Sequence, residues 1–195
     1  MKNSSPKRSL LLVGNDSLGK LLIEKAFKLD HVSVALDGTE RFFRACKLIL
    51  NGRISPVAVF KIFFAELSRP RRNFKISDII KNNAELHRFI IKKNIDRVII
   101  FRGGLIINKT ALSSDVEFLN VHCARIPEYG GLGAIYRALN EGSLDQMAVM
   151  HKVTDRVDKG EIIATKRYRL NPKLSFKKNE NTAYQAGIDL IIENI

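Results

Sequence analysis

Leu10-Leu11-Leu12-Val13-Gly14-Asn15-Asp16-Ser17-Leu18-Gly19-Lys20-Leu21-Leu22 carries two hydrophobic periods in direct succession. The unbroken apolar run Leu10 to Val13 predicts a strand buried on both faces, and Gly14 opens a turn. Apolar residues at 18, 21, 22, 26 and 29 then trace one face of a helix over Leu18 to Leu29. Strand, turn and helix is the unit from which parallel sheets are built. The alternation recurs. Strands are expected at Val32 to Leu36, Arg97 to Phe101, Glu117 to Val121 and Met147 to Val153. Helices are expected at Asp78 to Lys93, capped by Ser77, and at Ala134 to Asn140, closed by Gly142. The fold class is α/β, a mostly parallel sheet with helices on both faces. Its ligand belongs beyond the carboxyl ends of the strands.

The chain has 195 residues, 45% hydrophobic and 27% charged, enough for one domain spanning 1–195 with a sizeable core. Thirty-three Lys+Arg against 20 Asp+Glu give a formal charge of +13, which attracts phosphates, nucleotides, nucleic acid or acidic headgroups without choosing among them. The only cysteines are Cys46 and Cys123, and the polar, basic start, Met1 to Ser9, has no secretory apolar stretch. Lys61 and Glu66 interrupt the most apolar region, so a spanning helix is not expected either. The expectation is a cytoplasmic protein.

The segment Glu40 to Lys75 interrupts the alternation with nine Lys/Arg and two acids, a local balance of +7. Arg41, Arg44 and Lys47 recur on one helical face, opposite Phe42, Phe43, Cys46 and Leu50. Gly52 and Pro56 separate a more apolar stretch, Val57 to Leu67. Two readings stand: a helical insertion that covers the sheet with its basic side in water, or a peripheral attachment surface for an anionic membrane or a phosphate-rich partner.

The turn Gly14 to Leu21 approaches a P-loop, but Leu21 stands where Ser or Thr must hold magnesium, and the three-glycine spacing of a dinucleotide site is missing. Gly14, Asn15 and Ser17 can still offer backbone N–H groups at a helix N-terminus to a substrate phosphate, although Asp16 opposes one at close range. An ordinary strand-to-helix turn is the equal alternative.

Asn120 and His122 lie two apart in a predicted strand and share a face. After them come the loop Cys123-Ala124-Arg125-Ile126-Pro127-Glu128-Tyr129-Gly130-Gly131, a helix, and Thr154-Asp155-Arg156-Val157-Asp158-Lys159-Gly160. Asn-x-His, Pro-x-Tyr-x-Gly, an Ala-rich helix and Val-Asp-x-Gly together resemble the folate-dependent formyltransferases, which act on glycinamide ribonucleotide, methionyl-tRNA or amino sugars. The resemblance covers at least Ile95 to Leu170. It implies a Rossmann-like fold and an enzyme in which Asn120, His122 and Asp158 move a formyl group from N10-formyltetrahydrofolate to a primary amine.

The residue types suit that chemistry in their own right. An amide donor and a protonated imidazole can stabilise the oxyanion, the imidazole can carry the proton between nitrogens, and a carboxylate can orient the ring or raise its pKa. Arg102, Gly103, Gly104, Leu105 and Ile106 resemble the family's pterin-lining segment. Two glycines let backbone approach a flat ligand, and Thr154, Asp155 and Val157 would form the opposite wall. Singly, each triad residue has an ordinary reading as a turn or core side chain. Jointly, their order and spacing favour the site. His151 reads as a supporting residue. Cys123 points to the face opposite His122, which disfavours a Cys-His nucleophile pair. No metal-ligating set is assigned.

Two departures bear on the acceptor. The usual His-Pro-Ser is His122-Cys123-Ala124, and the frequent Tyr-Arg-Gly is Tyr129-Gly130-Gly131. With Ile195 ending an amphipathic stretch (Thr182 to Ile195), no room is expected for the extra domain of methionyl-tRNA members, so nucleic acid is the poorer partner. Asp16 disfavours glycinamide ribonucleotide. A nucleotide-linked amino sugar is the expected acceptor, framed by Pro127, Tyr129 and Gly131. The alternative is a non-catalytic relative attached to a membrane or partner through Glu40 to Lys75.

Overall fold

The computed structural model describes residues 7–26, 29–39, 49–52, 54–70 and 76–195. Seven strands form one sheet: β1 (Ser9–Gly14), β2 (Val32–Asp37), β3 (Ile79–Ile80), β4 (Arg97–Phe101), β5 (Glu117–His122), β6 (Asp145–Lys152) and β7 (Ile162–Arg169), in the spatial order β3-β2-β1-β4-β5-β6-β7. The first five run parallel, and β6 and β7 return antiparallel at one edge. The described helices are α1 (Ser17–Ala26), α2 (Pro56–Leu67), α3 (Asn83–Lys93), α4 (Lys109–Leu112), α5 (Ala134–Asn140) and α6 (Phe176–Asn194). Among the described residues, no helix is long and apolar enough to cross a membrane.

β1 and most of β4 are buried on both faces, which is why they read as continuous apolar runs rather than alternating ones. One apolar cluster packs α1, α5 and α6 against Leu11, Val13, Ile99, Phe101, Leu119 and Val121. The opposite cluster joins Leu10, Leu12, Val98, Ile100 and Phe118 to Leu86 of α3.

Three elements differ from the sequence reading. The helix expected from Asp78 begins only at Asn83: Ile79 and Ile80 pair with the end of β2 as an edge strand, and Asn82, not Ser77, caps the helix by accepting the Glu85 N–H at 2.9 Å. β7 was not anticipated, because Lys166, Arg167 and Arg169 crowd its second half and no position along this edge is fully buried. α6 starts before Thr182, at Phe176. Its first turns hold polar Asn179 and Glu180, which are buried yet partnered.

The expected basic face at Arg41, Arg44 and Lys47 lies outside the described residues. Downstream, Pro56–Leu67 is helical as expected, but it turns Ala58 and Ala65 inward and Val57, Phe60, Phe63, Phe64 and Leu67 outward, each more than half exposed. Leu50 is exposed as well. Arg69, just past α2, pins this segment down. Its guanidinium donates to Glu180 at 2.6 Å, to Glu66 at 3.0 Å and to Asn181 at 3.1 Å. Both Arg69 and Glu180 are buried, so removing one leaves the other charge without its ion-pair partner. Arg69→Ala is therefore expected to lower stability by about 3 kcal/mol in urea unfolding. A change under about 1 kcal/mol, the range of an exposed pair, would contradict that role.

Candidate active site

Side-chain alternation along β5 builds the site. Phe118 belongs to one apolar cluster, and Leu119, Val121 and Cys123 to the other, so Asn120 and His122 share the face of Phe118. β6 runs antiparallel past β5, with His151 opposite Asn120. The chain overshoots as far as the Val153 N–H, which donates to the Phe118 carbonyl, and then folds back over the same face. Gly160 makes the return possible, because a Cβ there would sit 1.7 Å from the Lys152 carbonyl oxygen. The loop thus lowers Asp158, held at φ +51°, onto Asn120 and His122. Aspartate tolerates this left-handed conformation better than most side chains do.

Asp158 is the centre of the cluster. Its Oδ2 accepts the Gly131 N–H at 2.7 Å and lies 3.3 Å from His122 Nδ1. Its Oδ1 accepts from Asn120 Nδ2 at 3.3 Å and lies 3.4 Å from His151 Nε2. Burial alone would push the carboxyl up, but His151, the charge of His122 and the Gly131 N–H together bring it down to about 2. The carboxylate stays ionised at any working pH.

The His122 pKa is lowered as well, here by burial itself. Burial pulls its pKa below the ordinary imidazole value, against the support of Asp158 and the Tyr129 carbonyl. Its Nε2 lies 2.7 Å from that carbonyl, which can only accept, so in the neutral ring Nε2 carries the hydrogen. Nδ1, facing Asp158, then holds the lone pair. The lowered pKa favours the neutral imidazole, held beside the fixed negative charge of Asp158. By the same logic, His151 Nδ1 donates to the Lys152 carbonyl at 2.9 Å, and its Nε2 accepts from Asn120 Nδ2 at 3.1 Å. His151 is therefore built into the cluster more tightly than its sequence position revealed.

The expected flanking residues divide. Gly103, Gly104, Leu105 and Ile106 follow β4, beside the end of β5. Leu105 and Val153 pack on the apolar cluster of the triad face, while Ile106 and Val157 stand at the rim, each 64% exposed. Thr154 and Asp155 are exposed on the returning loop, where the Thr154 hydroxyl donates to the Arg156 carbonyl at 3.0 Å. Arg102 turns away: its guanidinium pairs with Asp16 at 2.8 Å and lies 4.2 Å from the centre of the Tyr184 ring, leaving only its backbone for a ligand.

Gly14, Asn15 and Ser17 do not form the expected phosphate cradle. Glu66 accepts the Ser17 N–H at 2.7 Å, and Asp16 accepts the Gly19 N–H at 2.9 Å, so two carboxylates already occupy the start of α1 and would repel an anion. Ser17 instead borders an open cavity of about 590 Å³ beside α6, together with Lys166, Arg167 and Lys177.

On the acceptor side, Pro127 is exposed. Gly131 reaches the site through its N–H alone. The Tyr129 ring is buried in the core with its hydroxyl on Glu141 at 2.9 Å, so only its carbonyl meets the triad. Burial also pushes the Cys123 thiol up to about 12, leaving no thiolate to act as a nucleophile.

A sequence profile of the formyl transferase family matches residues 61–195. Methionyl-tRNA formyltransferase of Orientia tsutsugamushi (strain Boryong) is 24% identical over 119 residues, 60% of this chain and 38% of that relative. The match thus spans well under half the length of this curated relative. Among solved structures, a Mycobacterium tuberculosis protein assigned as a sugar N-formyltransferase superposes with a TM-score of 0.66 at 15% identity, over 96% of this chain and 66% of that one. Phosphoribosylglycinamide formyltransferase of Streptococcus pneumoniae TIGR4 gives 0.58 at 21% identity, over 96% of both chains. These likenesses confirm the fold, and the profile match, covering more than half of the sequence, places the chain in the formyl transferase family.

Proposed function

We propose that residues 1–195 form a catalytic domain that transfers a formyl group to a primary amine of a small anionic acceptor. The observation that carries this reading is the convergence of Asn120 and His122 on Asp158, at 3.3 Å each, from stretches of chain separated by a helix and a strand. N10-formyltetrahydrofolate supplies the activated formyl carbon when it is bound. The loops at 103–106 and 154–157 fit such a ligand, because Leu105 and Val153 give them an apolar floor and Ile106 and Val157 an apolar rim on the triad face.

His122 Nδ1 takes the proton that the attacking amine loses, and Asp158 stabilises the resulting imidazolium. The same proton then passes to the departing nitrogen as its bond to the formyl carbon breaks. Asn120 faces the charge that develops on the formyl oxygen. Its 3.3 Å bond to Asp158 is long, and is the one such an oxygen can replace. The preferred acceptor is a nucleotide-linked amino sugar. Net positive charge suits its diphosphate, and the two carboxylates at the start of α1 disfavour a ribonucleotide phosphate there.

A second, compatible reading concerns α2. Its outward Val57, Phe60, Phe63, Phe64 and Leu67, within a segment of local charge +7, support peripheral attachment to an anionic membrane. Co-sedimentation with phosphatidylglycerol vesicles should fall as salt rises and should be lost in Phe60→Ser/Phe63→Ser. Equal pelleting with neutral vesicles would end that reading.

For the reaction, Asn120→Ala, His122→Ala and Asp158→Asn should each reduce formyl transfer at least ~100-fold, the scale of losing a positioned donor or proton carrier. Near-normal turnover in any of them removes its assigned role. Because neutral His122 is the active form, the rate should rise with pH through a single limb centred below the ordinary imidazole value of 6.5. Asp158, at about 2, contributes no limb in that range. Asp158→Asn takes away a charge that supports the imidazolium, so its residual activity should show that limb moved to still lower pH. A limb above 6.5 in the wild type would refute the neutral resting state.

A further inference from the structure

Asp37 closes β2 and is 3% exposed, yet it does not touch the triad. Its Oδ2 accepts the Leu105 N–H at 2.9 Å and the Gly104 N–H, while Oδ1 accepts the Thr39 N–H at 2.8 Å and the Thr39 hydroxyl at 2.6 Å. Because β1 lies between β2 and β4, this carboxylate bridges over the carboxyl end of β1 to hold the loop that leaves β4. The approach is close enough to dictate sequence. A Cβ at Gly103 would lie 2.5 Å from Ile100 Cγ2 and 3.1 Å from Asp37 Oδ2, so a larger residue would lift the loop off the carboxylate. Burial pushes the Asp37 carboxyl up, but the four donors outweigh it and hold the group below its ordinary value.

We propose that Asp37 is the positioning residue of the folate site: by binding two consecutive backbone N–H groups, it fixes the path of Gly103, Gly104 and Leu105 against the triad face. The inference rests on the reading that this loop lines the folate pocket. Two charge-assisted bonds to adjacent amides leave the Gly104 and Leu105 peptides little freedom, so the wall exists before a ligand arrives. Without Asp37 the loop must be ordered by the ligand itself. The consequence falls on folate affinity rather than on the chemical step.

The test compares wild type, Asp37→Ala and Asp37→Asn by calorimetric titration with tetrahydrofolate, by steady-state kinetics and by amide hydrogen exchange. Asp37→Ala should weaken tetrahydrofolate binding at least ~10-fold, and Asp37→Asn, which keeps one acceptor oxygen, about 3-fold. The KM for the folate donor should rise while kcat stays within about 3-fold, and the Gly104 and Leu105 amides should exchange faster. If Asp37→Ala does not fold, the same set of changes in Asp37→Asn carries the test. Folded variants that bind tetrahydrofolate as wild type does, or that lose kcat with KM unmoved, overturn the positioning role and leave the formyl transfer reading intact. A wild type that fails to bind tetrahydrofolate at millimolar concentration overturns that reading, and this inference with it.

Discussion

The site depends on one buried carboxylate and on the geometry that brings polar groups to it from four directions. Asp158 receives the Gly131 N–H, the Asn120 amide and two imidazole edges, so it ties together β5, β6, the loop before α5 and its own returning loop. An ionised group at such depth persists only when donors replace water, and the Gly131 N–H and the Asn120 amide do so here. The charge that organises these loops also lies 3.3 Å from His122 Nδ1. Structure and chemistry rest on the same atoms.

A second set of charges holds the opposite side of the sheet. Asp16 pairs with Arg102, while Glu66, Arg69 and Glu180 link α2 to the first turn and to α6. These contacts fill the start of α1 with the protein's own carboxylates, where an anion would otherwise find free N–H groups. An anion is thereby disfavoured at that turn. The same network anchors one edge of α2 and leaves its aromatic face to solvent.

Much of the fold was legible because burial on two faces writes continuous apolar runs: Leu10 to Val13 and Val98 to Phe101 sit where their periodicity placed them. The misreadings share a cause. Ile79 and Ile80 look like part of a helical face until β2 offers them a partner, and β7 hides its alternation among charges because its outer side is wet. Asn179 and Glu180 disguise the start of α6, since a buried polar residue is acceptable only when distant groups such as Asn171 and Arg69 satisfy it. None of those partners is visible from a local window.

The sequence by itself determined the alternation of strands and helices, because side-chain period is a property of the chain, and the order of its motifs carried the family resemblance that singled out Asn120, His122 and Asp158. Tertiary structure alone decided the burial that lowers the His122 pKa, the approach of His151 to Asn120 and Asp158, the diversion of Arg102 to Asp16 and the occupation of the first turn by Glu66. Each of these turns on the distance between groups remote in sequence, and on how much water the packing leaves around them, neither of which is written in residue order.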